Sequence, residues 1–268
     1  MKLSEAVKIL ADAGIDSPRH DAREIFSHFG EISVLQMAVG DAECSSPEAE
    51  RAIMERAKRT PLQYILGKCF FYKEEYFVDG NCLIPRSDTE ILVDYAVKNI
   101  PDGENFIDLC TGSGCVGISV LKNTVGTVGN LVDISSGALS VARRNAEHNG
   151  VADRAQIFAL DVMAEVVRGE FYAVLSNPPY VADSVYLQLQ SEIFREPKIA
   201  FVGGADGGDF YRHLTPIYKE KLKTGGFIAY EIGYDQADML RGIAEACGMT
   251  CEIIKDLSGN DRVAVLRH

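Results

Sequence analysis

The sequence predicts an α/β fold: a doubly wound, mostly parallel sheet preceded by a small all-α N-terminal domain and a β-hairpin linker. Three observations predict it. Residues 1–60 carry apolar positions only at helical spacing. The period changes at Cys69–Val78, and from Asp88 onward short apolar runs alternate with amphipathic stretches, the pattern of strand-helix units in a parallel sheet. The expected boundaries are a helical domain over 1–68, a hairpin linker over 69–84 with the change of texture near residue 80, and the α/β domain over 85–268.

The helical reading of the first segment rests on Leu3, Ala6, Val7 and Leu10, which share one face of a 3.6-residue period. Ser17-Pro18 and Ser46-Pro47 each offer an N-cap serine followed by proline at the first helical position. In the linker, Cys69-Phe70-Phe71-Tyr72 and Tyr76-Phe77-Val78 flank the polar Lys73-Glu74-Glu75 as two short strands flank a turn. Beyond it, a helix over Thr89–Val97 precedes the apolar Phe106-Ile107, Val116–Leu121 precedes Leu131-Val132, and Ala138–His148 precedes Ala155–Leu160. Ala173-Val174-Leu175, Phe227–Ile232 and a helix around Ala237–Ala246 follow. Thr250–Lys255 and Arg262–Leu266, separated by the turn residues Ser258-Gly259-Asn260-Asp261, close the sheet with two adjacent strands.

Composition narrows the function. The 268 residues are 47% hydrophobic and 25% charged, the balance of an ordinary globular protein. No run approaches the ~18 apolar residues of a membrane span, and Glu5, Lys8 and Asp12 interrupt the N-terminus where a signal peptide needs an apolar core. A cytoplasmic protein with no membrane partner is expected. The seven cysteines are scattered, without a C-x-x-C pair, so neither a disulfide framework nor a metal site is expected. A net charge of −12 offers no basic footprint for direct nucleic-acid binding.

Gly112-Ser113-Gly114-Cys115-Val116-Gly117 is a literal G-x-G-x-x-G after a predicted strand, and Asp133 lies where a strand-end acid accepts ribose hydroxyls. That pattern alone leaves the cofactor open, a nicotinamide dinucleotide included. Asp108, four positions before the first glycine, gives Asp108-Leu109-Cys110-Thr111-Gly112-Ser113-Gly114. This stretch resembles the nucleotide loop of class I S-adenosylmethionine-dependent methyltransferases. The resemblance implies a Rossmann-like sheet with S-adenosylmethionine held by Asp108, Cys110, Thr111, Gly112, Ser113, Gly114 and Asp133, and with Asp161 and Val162 at its adenine.

Asn177-Pro178-Pro179-Tyr180 follows the strand ending at Leu175-Ser176, at the carboxyl edge of the sheet. Two prolines fix φ and remove two N–H donors, so the turn offers acceptors rather than a strong base. The lone pair of a planar amide or aryl amine is delocalised. Acceptors from the Asn177 side chain and the Pro178 carbonyl would grip its N–H bonds and aim the nitrogen at a methyl donor, with Tyr180 covering the planar group. The tetrapeptide resembles that of amino-group methyltransferases, in which Asn177, Pro178, Pro179 and Tyr180 would be catalytic and Asn177 would also border the cofactor.

Other stretches divide that class. Pro61-Leu62-Gln63-Tyr64-Ile65-Leu66-Gly67, Leu83-Ile84-Pro85-Arg86-Ser87-Asp88-Thr89-Glu90, Glu196-Pro197, Gly203-Gly204-Ala205-Asp206-Gly207-Gly208, Tyr230-Glu231-Ile232-Gly233 and Gly259-Asn260-Asp261-Arg262 resemble, in order, the signature of the HemK/PrmC release factor glutamine methyltransferases. The resemblance implies methylation of the glutamine side-chain amide in the Gly-Gly-Gln motif of class 1 peptide chain release factors, with the helical domain helping to hold that protein. The nearest alternative is an adenine-amino methyltransferase acting on DNA or RNA, against which the charge of −12 argues. A nicotinamide dehydrogenase has no use for the tetrapeptide, and a cofactor-binding adaptor without catalysis has no need to keep both motifs. No pattern marks His20, His28, His148, His213 or His268 as catalytic, and the roles of Glu196, Asp206 and Glu231 stay open.

Overall fold

The computed structural model describes residues 1–268, which form two compact units: Met1–Lys68 with Gln190–Arg195, and Cys69–Leu189 with Glu196–His268.

The smaller unit holds α1 (Leu3–Asp12), α2 (Pro18–Gly30), α3 (Val34–Val39), α4 (Pro47–Ala57) and α5 (Leu62–Leu66). Leu3, Ala6 and Leu10 of α1 meet Ala22, Ile25 and Phe26 of α2 and Ala49, Ala52 and Ile53 of α4 in one buried cluster. Full burial of a side chain such as Ile25 or Phe26 contributes about 1.5–3 kcal/mol. Ser46 caps α4, its hydroxyl accepting from Ala49 N at 3.2 Å. Ser17, expected to cap α2, makes no such bond, and Pro18 alone marks that start. Gln190–Arg195 joins this unit through Glu192, which pairs with Arg56 at 3.0 Å and Arg59 at 3.5 Å. The Arg56 guanidinium also donates to the buried Asp21 at 2.7 Å, so an interior arginine has two carboxylate partners.

The larger unit begins with the hairpin β1 (Lys68–Phe71) and β2 (Glu74–Phe77). The hairpin expected as a linker is packed into this unit: Phe71 and Tyr76 lie in its core, and the Tyr76 hydroxyl sits 2.6 Å from that of Ser119. After α6 (Glu90–Asn99) come β3 (Asn105–Leu109), α7 (Cys115–Lys122), β4 (Val128–Asp133), α8 (Ser136–His148), β5 (Ala155–Ala159), β6 (Phe171–Ser176), α9 (Asp183–Tyr186), α10 (Asp209–Lys219), β7 (Leu222–Glu231), α11 (Ala237–Ala246), β8 (Thr250–Lys255) and β9 (Asp261–Arg267). Helix α10, not anticipated from the sequence, carries Pro216 inside it, at the cost of one backbone donor.

The seven strands order as β5-β4-β3-β6-β7-β9-β8, with the pairs from β5 to β7 parallel and both β9 pairs antiparallel. Alternate residues feed opposite faces, as a pleated strand requires. Phe106, Ala173, Leu175, Phe227 and Ala229 pack toward one buried cluster, and Ile107, Val174, Ile228 and Tyr230 toward the other. The chain runs outward from β3 through β4 to β5 and then returns to β6, so the strand order reverses between β3 and β6. In open α/β sheets ligands bind beyond the carboxyl ends of strands at such a reversal.

Candidate active site

Register places the site. Leu109 pairs with Ser176 across β3 and β6 and with Val132 across β3 and β4, while Asp133 pairs with Ala159. The residues leaving these strand ends, Cys110, Asn177 and Asp133 with Asp161 two positions past Ala159, therefore converge on one edge. Ser176 secures the central pair by donating its hydroxyl to the Leu109 carbonyl at 2.6 Å.

The loop after β3 is held in a tight form. Cys110, Gly112 and Gly114 all have positive φ, at 58°, 56° and 82°, a region costly for cysteine and free for glycine. The Asp108 carboxylate, 1% exposed, accepts from the Thr111 hydroxyl at 2.5 Å and Gly117 N at 3.0 Å. It thereby ties both ends of the loop together. Gly117 has a packing purpose: a Cβ there would lie 2.7 Å from Leu131 Cγ, so its absence lets α7 approach β4. Asn145 on α8, fully buried, braces the loop from outside by donating to the Ser113 and Phe77 carbonyls and accepting from Phe77 N.

A cavity of about 260 Å³ opens at this edge. Cys110, Gly112, Asp133, Asp161, Val162, Asn177 and Pro179 line it, and Ile134, Leu160 and Phe210 add apolar wall. A smaller cavity of about 40 Å³ adjoins it, bordered by Asp108, Thr111, Ser113, Pro85, Arg86 and Thr89. Cys110, Gly112 and Asn177 border both. The structure thus brings together all the sequence-derived candidates except Gly114, Pro178 and Tyr180. Gly114 caps α7 behind the loop, and Pro178 is buried. Tyr180, expected to cover a planar substrate, instead donates its hydroxyl to Glu231 Oε1 at 3.1 Å and lines neither cavity.

The Asp133 carboxylate accepts from Gly112 N and Ser135 N, each at 2.9 Å. Each oxygen keeps further acceptor capacity, and burial raises the pKa against the pull of these N–H donors. A half-open carboxylate beside an apolar wall fits a ligand bearing a ribose diol and a planar base. S-adenosylmethionine has both, so the residues present fit it.

Asn177 is oriented. Its Nδ2 donates to the Thr89 hydroxyl at 3.1 Å, which leaves the side-chain carbonyl oxygen as the uncommitted acceptor of a residue that borders both cavities. Glycines back this turn, since a Cβ on Gly203 would fall 2.4 Å from the Pro179 carbonyl oxygen and one on Gly207 2.1 Å from that of Tyr180. Sequence reasoning missed the roles of Thr89 and Asn145. It left open Glu196, which accepts from Ile84 N at 3.0 Å and Arg86 Nη2 at 2.5 Å and pins the segment beside the cavities. Asp206 pairs with Arg212, which holds its carboxyl down at about 2. Burial pushes Asp108 and Glu231 up to about 7.

This sheet order, with a glycine loop after β3 and an acid ending β4, defines a class I S-adenosylmethionine-dependent methyltransferase fold. The profile of the methyltransferase small domain matches residues 87–205, and that of the PrmC N-terminal domain matches residues 2–67. The release factor glutamine methyltransferase of Caulobacter vibrioides is 36% identical over 264 residues, covering 96% of this chain and 91% of that protein. That of Rhodospirillum rubrum is 37% identical over 262 residues, covering 95% and 80%. Among solved structures, the M. jannaschii tRNA m1G37 methyltransferase superposes with a TM-score of 0.50 at 16% identity, over 74% of this chain and 55% of that one, a likeness of fold alone. The chain belongs to the release factor glutamine methyltransferase family, PrmC.

Proposed function

We propose that the protein transfers a methyl group from S-adenosylmethionine to the side-chain amide nitrogen of the glutamine in the Gly-Gly-Gln motif of class 1 peptide chain release factors, in the cytoplasm and in the service of translation termination. The observation that carries this reading is Asn177, a residue that borders both cavities: its amide nitrogen is taken up by Thr89 and its carbonyl oxygen is left as an uncommitted acceptor. A site built to accept N–H bonds suits an amide nitrogen, whose lone pair is delocalised and which needs orientation more than a base. The naming of relatives that align over nearly the whole chain supports the same substrate.

When bound, S-adenosylmethionine supplies an electrophilic methyl group on a sulfonium. Asp133 would hold its ribose hydroxyls, Asp161 and Val162 would border its adenine, and the loop from Cys110 to Ser113 would approach it through backbone. Asn177 Oδ1 would accept an amide N–H bond of the glutamine and orient its nitrogen, whereas the Pro178 carbonyl, expected as the second acceptor, belongs to a residue that is buried and borders neither cavity. On accepting the methyl group the amide nitrogen would release one proton to solvent, and the donor would leave as a neutral thioether. No helix is long and apolar enough to cross a membrane, and the charge of −12 suits a protein partner better than a phosphate backbone.

Purified release factor incubated with the enzyme and S-adenosylmethionine, then digested and mapped by mass spectrometry, tests the proposal. The peptide carrying Gly-Gly-Gln should gain one methyl group, on its glutamine. A release factor left unmodified while an adenine-containing oligonucleotide is methylated would replace the proposal with the adenine-amino alternative.

A further inference from the structure

Glu231 closes β7 as a carboxylate 1% exposed, an expensive thing to bury without partners. Tyr180 donates to its Oε1, whereas Oε2 is buried with no hydrogen bond of its own. Ser176 pairs with Tyr230 across β6 and β7, so Asn177 and Glu231 stand at neighbouring strand ends, and the Thr89 hydroxyl, itself 1% exposed, is among the groups that lower the Glu231 pKa. Thr89 Oγ1 is also the acceptor of the Asn177 amide. A hydroxyl has one hydrogen and two acceptor sites, so turning its hydrogen toward Glu231 leaves a lone pair for Asn177 Nδ2.

We propose that Thr89 is a positioning residue for methyl transfer, its hydroxyl oriented by Glu231 so that Asn177 is held with its nitrogen away from the reacting site and its oxygen toward it. This deepens the methyl-transfer reading and rests on it. An asparagine side chain is nearly symmetric in shape, and a flipped amide would present donors to the donors of a substrate amide. Binding of the methyl donor would survive such a flip, but orientation of the substrate nitrogen would not. The groups facing Glu231 are Tyr180, Thr89 and Arg262, which lower its pKa, and Asp88, which raises it. The Tyr211 hydroxyl donates to its backbone carbonyl at 2.8 Å.

The test uses the full-length chain, with single-turnover methylation of a Gly-Gly-Gln-containing release factor and calorimetric affinity for S-adenosylmethionine measured side by side. Thr89→Val keeps the shape and removes the hydroxyl. It should lower the methyl-transfer rate about 10-fold, the worth of one hydrogen bond, with cofactor affinity unchanged, and Thr89→Ser should restore most of the rate. On an Asn177→Ala background Thr89→Val should cost nothing further, because the group it orients is gone. Glu231→Gln should lower the rate in the same direction, again with affinity kept. A wild-type rate for Thr89→Val, or an undiminished loss on the Asn177→Ala background, overturns the proposal while leaving the methyl-transfer reading intact. A wild-type rate for Glu231→Gln removes Glu231 from it. If Asn177→Ala itself retains the full rate, the reading of the site fails and the proposal falls with it.

Discussion

Asn177 and Thr89, 88 residues apart, meet through a hydrogen bond of 3.1 Å that engages the nitrogen end of the asparagine amide and leaves its oxygen uncommitted. The acceptor character of the site depends on that orientation, and so do the expectations for the residues around it.

Asp133 should govern cofactor affinity. Asp133→Ala removes an acceptor for ribose hydroxyls and also releases the Gly112 and Ser135 N–H groups that now shape the loop. Hydrogen bonds to a charged group contribute about 1.5–3 kcal/mol, so calorimetry should show S-adenosylmethionine binding weakened by roughly that amount. Unchanged affinity would remove Asp133 from the binding site.

Gly203→Ala should damage the catalytic turn from behind. The added Cβ lands 2.4 Å from the Pro179 oxygen and 3.0 Å from its carbonyl carbon, both backbone atoms that cannot rotate away. Overpacking of this kind costs about 1–3 kcal/mol. Denaturant unfolding should report that loss, and turnover should fall further than cofactor affinity does. Wild-type stability and turnover together would show that the turn gives way freely.

Glu231 should make stability depend on pH. Its carboxyl ionises near 4.5 in the unfolded chain and at about 7 in the fold, chiefly because of burial. Between those values the unfolded chain binds fewer protons, so this group's contribution is present below about 4.5 and is lost as pH rises toward 7. Asp108 acts in the same direction, but it is common to both proteins when wild type is compared with Glu231→Gln. The difference in unfolding free energy should move in favour of Glu231→Gln as pH rises from 4.5 to 7 and level off above. A difference that does not change with pH would mean that Glu231 titrates normally.

Much of this was legible in the chain because it is local. The alternation of Phe106-Ile107, Leu131-Val132 and Ala173-Val174-Leu175 with amphipathic stretches announces the sheet, and the glycine loop and tetrapeptide announce their own backbone requirements. Other features are set by pairings distant in sequence. Asn145 reads as one more polar residue on a helix face until α8 is laid against the loop, and Thr89 as a helix-start threonine until β6 brings Asn177 to it. Helix α10 holds Pro216 in its interior, a residue whose local preference is overridden by the packing of Tyr211, Leu214 and Tyr218 into the core. The hairpin resembles a linker in sequence because nothing local reveals that Tyr76 will be fully buried.

The central claim is that Asn177, although it borders the cavity fitted to the methyl donor, has as its main part to act on the substrate nitrogen as an acceptor. Single-turnover methylation of a Gly-Gly-Gln-containing release factor by Asn177→Ala, with S-adenosylmethionine affinity measured on the same preparation, tests it most directly. The rate should fall on the order of 10²–10³-fold, as when one preorganised hydrogen-bonding group is removed from a closed site, while affinity stays near that of the wild type. Asn177→Asp, which keeps an acceptor of the same shape, should retain more activity than alanine. A wild-type rate for Asn177→Ala would make the tetrapeptide a structural turn and contradict the account.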